Sequence, residues 1–198
     1  MTTKAERTTK YIIETVAPIF NKQGYVGTSM SDLTDATGLT KGALYGNFEN
    51  KEALALSAFE YNSTRLLQAI DEKLSTPGTA LDKIFALTDF YRHYDEFTLN
   101  MGGCPVLNTG LDAEHNNKLL AAAVRETVSL IEGKIALVLE NGSKRNELRL
   151  PVTPLQFAKQ LYTMIQGAVA MATISRDRKY LLNTVAYLDV LINKEIKK

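Results

Sequence analysis

The sequence predicts an all-α chain, an N-terminal three-helix helix-turn-helix unit followed by a larger helical body. Three observations carry this. The stretch Thr28 to Leu54 reads as two short helices joined by a tight glycine turn. Apolar residues elsewhere recur at spacings of three and four, as on helices buried along one face. Gly24, Gly38, Thr76-Pro77-Gly78 and Asn141-Gly142 punctuate these stripes where helices should end. With 198 residues, 45% of them apolar, the chain can bury a sizeable core in one or two domains. The boundary falls at residue 50, giving a helix-turn-helix domain over residues 1–50 and a helical body over residues 51–198.

From about Lys4 to Gly24, Ile12, Ile13, Val16, Ala17 and Phe20 form an apolar stripe, with Pro18 predicting a kink or one lost backbone bond. Ser29 is an N-cap with Asp32 three residues on, so a short helix runs from about Met30 to Thr37. Gly38 ends it, since a left-handed residue is cheapest as glycine, and Thr40 caps a second helix running to about Asn47. Leu44 and Phe48, four apart, face inward with Leu33, Ala36 and Leu39. Lys41 and Tyr45, also four apart, face outward, with Gly42 and Ala43 keeping that side slim.

A long helix, Lys51 to Ser75, links the two parts. Thr79 with Asp82 starts the next, carrying Ile84, Leu87 and Tyr91, and an aromatic run of Phe90, Tyr91, Tyr94 and Phe97 follows. These rings are either ordinary core or, with Thr88 and Arg92, the lining of a ligand cavity. In Met101-Gly102-Gly103-Cys104-Pro105, Pro105 suits a first helical turn and places Cys104 at a helix N-terminus, where backbone amides favour a thiolate. The alternative is a small buried apolar cysteine. Asn116 to Glu140 is a further helix that Asn141-Gly142 should stop. Thr153 and Gln156 form a capping box around Pro154. The helix beyond carries Ala158, Leu161, Ile165, Ala168 and Ala172, and the last carries Leu181, Val185, Leu188 and Ile192. Such seams pair helices, either within the chain or against a second copy as a four-helix interface.

Composition excludes several function classes. Net charge is +1, and Met1 to Glu52 hold six basic and six acidic residues, so any nucleic-acid affinity must come from the placement of Lys4, Arg7, Lys10, Lys41 and Lys51. One cysteine rules out an internal disulfide and fits a reducing compartment. No signal peptide or membrane span is present, so the expected location is cytoplasmic. Asp89 and His93 share a helix face without further ligands at metal spacing, and no nucleophile, phosphate-loop or dinucleotide motif occurs. Metal site, cofactor and catalytic residues are all expected to be none.

A capped helix, a glycine turn and a slim face bearing lysine and tyrosine suit insertion into a DNA major groove, with Lys41, Gly42 and Ala43 against base edges. The segment resembles the TetR family of bacterial transcriptional repressors, whose recognition helix and exit commonly read G-(V/L)-(S/T)-(K/R)-G-x-(L/F)-Y-x-(H/Y)-F-x-x-K-x-x-L. Gly38, Leu39, Thr40, Lys41, Gly42, Leu44, Tyr45, Phe48, Lys51 and Leu54 fit that pattern. Gly46 and Asn47 depart from it, the first leaving bare a position that often carries a large side chain and the second replacing a His or Tyr. The resemblance implies that Thr40, Tyr45 and Lys51 meet phosphates, and the full candidate DNA-contact set is Ser29, Thr40, Lys41, Gly42, Ala43, Tyr45, Asn47 and Lys51.

The resemblance further implies a repressor that a small-molecule effector releases from double-stranded DNA, with candidate ligand residues Phe85, Thr88, Arg92, Phe97, Met101, Cys104, Asn108, Met164 and Gln166. The Gly103-to-Asn108 stretch is similar to a G-C-x-x-x-N segment in a subgroup some of whose members sense oxidants or electrophiles through the cysteine. A homodimer through the two C-terminal helices would present two reading heads. Its operator would be pseudo-palindromic, with half-sites on the order of 34 Å apart or a multiple of that. The competing expectation is a helical small-molecule-binding protein or enzyme that retains the helix-turn-helix as scaffold.

Overall fold

The computed structural model describes residues 3–197, and its regular structure among them is helical. The elements are α1 (Lys4–Gly27), α2 (Met30–Thr37), α3 (Lys41–Asn47), α4 (Lys51–Leu74), α5 (Ala80–Arg92), α6 (Tyr94–Thr98), a 3-10 turn (Leu99–Met101), α7 (Pro105–Asn116), α8 (Lys118–Lys144), α9 (Pro154–Ser175) and α10 (Lys179–Glu195). Two compact units emerge, one from residues up to 66 together with residues 97–127, the other from residues 67–96 and 128 onward. The expected boundary at residue 50 lies inside the first unit.

In the first unit α1 is the hub, packing on α2, α3, α7 and the 3-10 turn. Thr3 and Glu6 cap its start reciprocally. Ile12, Val16, Ala17 and Phe20 are buried as the stripe predicts, while Ile13 is half-buried. Pro18 does not break the helix. The break is at Gly24 (φ 78°, ψ 170°), after which one more turn follows because the Asp112 carboxylate accepts the Tyr25 amide at 2.5 Å.

Both short helices fall on the expected residues. The Ser29–Asp32 capping box forms, Gly38 is left-handed at φ 67°, and the Thr40 Oγ1 accepts from the Ala43 amide. Leu33, Leu44 and Phe48 are buried. Ala36, expected inward, is exposed, and Leu39 is half-buried. Thr37 takes the inward place, because its Oγ1 satisfies itself on the Leu33 carbonyl at 2.7 Å and leaves its methyl for the core.

In the second unit α5 and α9 each pack on α10. Ile84, Leu87 and Tyr91 are fully buried, and Phe90, Tyr91 and Tyr94 meet at centroid separations of 5.1, 5.7 and 4.9 Å, so this aromatic run is core. Asn141-Gly142 does not stop α8, which runs to Lys144. Gly142 is buried, and a Cβ there would lie 2.3 Å from the Ala80 Cβ, so glycine serves helix–helix approach and not termination. The Thr153–Gln156 box forms.

The seam residues Ala158, Leu161, Ile165, Ala168, Leu181, Val185, Leu188 and Ile192 are buried with α9 against α10. Those seams are thus consumed within the chain. Met171, Ile174, Tyr180, Tyr187 and Val190 remain outward at 42, 75, 45, 58 and 62% exposure. Among the described residues no helix is long and apolar enough to cross a membrane.

Candidate nucleic-acid interface

The outward side of α3 is set by three residues spaced four apart. Thr40 starts the helix, and Leu44 and Phe48 anchor it from the inner side. Lys41, Gly42, Tyr45 and Gly46 are exposed, and Ala43 is half-buried. The Lys41 ammonium sits 5.8 Å from the Tyr45 ring centroid, which places cation and phenol on one face. A Cβ at Gly46 would meet nothing within 4 Å, so neither packing nor a positive φ demands glycine there. Lys4, Arg7 and Lys10 are also exposed along the first half of α1. The face therefore offers donors on a narrow backbone, a combination suited to phosphates and base edges.

Three expected DNA contacts have work within the fold. Ser29 is exposed, but its Oγ accepts the Asp32 amide at 3.1 Å and donates to the Asp32 carboxylate at 2.8 Å. The Ser29 amide also donates to that carboxylate at 2.7 Å, and this bond first, the hydroxyl's second, holds the Asp32 carboxyl below its ordinary range. The Lys51 ammonium donates to the Tyr25 carbonyl at 2.6 Å and lies 4.6 Å from that ring centroid. Desolvation there pulls its pKa down, against the pull of Asp112 and Asp32 in the other direction. Asn47 is half-buried, its Nδ2 donating to the Ala43 carbonyl and its Oδ1 accepting from Thr9.

The residues expected around a ligand divide between the two units. In the first, Met101 and Cys104 are buried and Asn108 is half-buried in a loop clasped to α1. Asn21 donates to the carbonyls of Met101 and Gly103 at 2.6 and 2.8 Å, and Asn108 donates to those of Asn21 and Gly102 at 3.0 and 3.1 Å. Gly102 (φ 78°) is needed twice over, since a Cβ would also stand 2.5 Å from the Pro18 carbonyl. Cys104 is the N-cap residue of α7, as the sequence places it. Phe97 is half-buried.

In the second unit, Thr88 and Arg92 converge on Asp189 of α10. The Thr88 hydroxyl donates at 2.7 Å, and the Arg92 guanidinium pairs with Asp189 and, at 3.3 Å, with Asp89. Burial works against the charged Arg92, and these two carboxylates more than offset it, raising its pKa. Both side chains thus brace α5 against α10. Phe85 and Gln166 are half-buried. Met164 lines a groove of about 410 Å³ with Phe157, Leu161, Leu188 and Leu191, rimmed by Lys159 and Glu195. Among the described residues no group of three or more His, Cys, Asp or Glu gathers at metal distance.

The sequence reading missed Asn21, Thr9, Tyr11 and Asp189. Asn21 left a signal, a polar residue four after Ala17 on the buried stripe of α1. Thr9, Tyr11 and Asp189 left none, because their partners lie 26 to 101 residues away.

A capped two-helix reader on a support helix, followed by a helical body, defines the class of helix-turn-helix transcriptional regulators. Residues 12–58 match the model of bacterial regulatory proteins of the tetR family, and residues 80–188 match the tetracyclin repressor-like C-terminal domain. The chain belongs to the TetR family of transcriptional regulators. It is 26% identical over 193 residues to the HTH-type transcriptional repressor NemR of Escherichia coli K12, covering 93% of this chain and 94% of that one. A TetR transcriptional regulator from Chloroflexus aurantiacus superposes with TM-score 0.92 at 32% identity over 98% of both chains. One from Cytophaga hutchinsonii does so with TM-score 0.92 at 33% identity over the whole of both.

Proposed function

We propose that this regulator is a repressor that binds a pseudo-palindromic DNA operator as a homodimer and is released by a small-molecule or thiol-reactive effector. The observation that carries the reading is the outward face of α3, where Lys41 and Tyr45 stand exposed beside Gly42 and Gly46 while Leu44 and Phe48 are buried behind them. Affinity comes mainly from phosphate contacts and falls with salt, and discrimination comes from the few groups at base edges. Thr40, Lys41, Gly42, Ala43 and Tyr45 keep contact roles. Ser29, Asn47 and Lys51 contribute through the fold.

The outward apolar faces of α9 and α10 support self-association, with Met171, Ile174, Tyr180, Tyr187 and Val190 as the surface for a second copy. The reader of residues 1–50 and the body of residues 51–198 remain the proposed functional division. For release, the Met164 groove has room for a small, largely apolar molecule. Cys104 offers a second route, since adducts on a buried residue of the clasped loop would strain its hold on α1. Either needs only to favour the non-binding arrangement, a coupling typically worth about 1–3 kcal/mol.

The test is a gel shift on the DNA flanking the gene. Wild-type protein shifts a duplex carrying an inverted repeat as a complex with one dimer, and Lys41→Ala with Tyr45→Ala abolishes the shift. Unimpaired binding by that double variant would remove the site assignment.

A further inference from the structure

A helix of seven residues does not hold its own direction; its neighbours must set it. Leu44 and Phe48 fix which side of α3 faces inward, but apolar contact is non-directional and leaves rotation and tilt open. Directional bonds come from two residues of α1. The Thr9 hydroxyl lies 2.9 Å from the Asn47 Oδ1, closer than the 3.1 Å to its alternative acceptor, the Ala5 carbonyl. Asn47 passes the link on, its Nδ2 donating to the Ala43 carbonyl at 2.9 Å. The reverse amide orientation would set Oδ1 against that carbonyl, so donor and acceptor sides are determined. Two residues further along α1, the Tyr11 hydroxyl donates to the Thr37 carbonyl at 3.0 Å, at the end of α2. The two tethers bracket the Gly38–Thr40 turn, holding the last turns of α2 and α3.

We infer that Thr9 and Tyr11 are positioning residues that set the angle at which α3 presents Lys41 and Tyr45, and that Asn47 acts through Thr9. Neither tether touches the outward face. The inference rests on the DNA-binding reading above. It assigns Asn47 an internal partner where a phosphate contact would be an independent one.

The experiment is a double-mutant cycle on binding to a duplex carrying the flanking inverted repeat and to a scrambled duplex of equal composition. Thr9→Val should lower the operator-to-scrambled affinity ratio about fivefold, the size of one directional hydrogen bond, with scrambled-duplex binding unchanged and the thermal midpoint lower by only a few degrees. Asn47→Ala should do the same, and the pair should lose little more than either alone, because both break one link. Thr9→Ser should restore the ratio. Tyr11→Phe should lower it again when added to Thr9→Val, since it holds a different helix. A wild-type ratio in Thr9→Val, or Thr9→Val and Asn47→Ala losses that add fully, would overturn the inference while leaving DNA binding intact. A wild-type protein that does not prefer the operator duplex would instead remove the functional reading on which it rests.

Discussion

The segment 28–48 and the body from residue 128 onward are stabilised by opposite means. In the first, helices of eight and seven residues are held by what stands at their ends: Ser29 and Asp32, left-handed Gly38, and Thr40. In their middles only Leu33 and Leu44 are buried. In the second, helices of 22 and 17 residues bury continuous seams, with Ile165, Val185 and Ile192 fully enclosed. Their middles decide everything. A reader must leave one side open to a partner, so its rigidity comes from caps, turn and tethers, while a scaffold can spend whole faces on packing.

Glycine substitutions sharpen that contrast most. Gly142→Leu in α8 drives a side chain into Ala80 and Leu148, whose Cδ2 would be 2.9 Å from a new Cβ. Overpacking of this kind costs about 1–3 kcal/mol, and leucine belongs at the upper end. For a chain of this size that lowers the thermal midpoint by about 6–10 °C at fixed protein concentration. A midpoint within a degree of wild type would mean that the body yields at its seams as readily as the reader does on its face.

Smaller effects separate the two glycines of the reader. Gly38→Ala forces a side chain into the left-handed region and should cost about 1–2 kcal/mol, despite the open space around it. Gly46→Ala, eight residues away, meets nothing and gains about 0.5–1 kcal/mol from helix propensity. Opposite shifts in thermal unfolding are the expected result. A common sign would break the distinction between turn and face.

The same contrast explains what could be seen in the sequence. Ser29, Gly38, Thr40 and Thr153 act on residues three or four places away, so their helices begin and end where the residues say. Gly142 carried the same local message and was overruled, because Ala80, far away in sequence, needed the space. The outward Lys41 and Tyr45 were legible from i, i+4 spacing alone. That Lys51, Asn47, Thr88 and Arg92 would be claimed by Tyr25, Thr9 and Asp189 was not, since each partner is fixed only once distant helices meet. For the seams of α9 and α10, periodicity identified the buried positions but not whose helix would cover them.

Acid titration gives the finest probe of local against long-range capping. Asp32 in the reader is held below its ordinary value first by the Ser29 amide and then by the Ser29 hydroxyl, three residues away. Glu147 in the body is held down chiefly by the Ala80 amide, which donates to it at 2.7 Å across 67 residues. A carboxyl whose folded pKa is depressed stabilises the fold above its unfolded value and loses that contribution as pH falls through the folded one. Both contributions should therefore begin to fall as pH drops into the ordinary carboxylate range, near pH 4, and be lost only below it, as the folded groups take up protons. Asp32→Asn and Glu147→Gln should each flatten the fall of the thermal midpoint as pH drops below about 4, and lower the midpoint by a constant amount at neutral pH. The loss in Asp32→Asn should be confined to the start of α2, visible as faster amide exchange at Ser29 and Asp32. In Glu147→Gln faster exchange should reach the first turn of α5, because the cap it removes belongs to a different helix. Midpoint curves that run parallel to wild type in both variants would show that neither carboxylate is linked to folding.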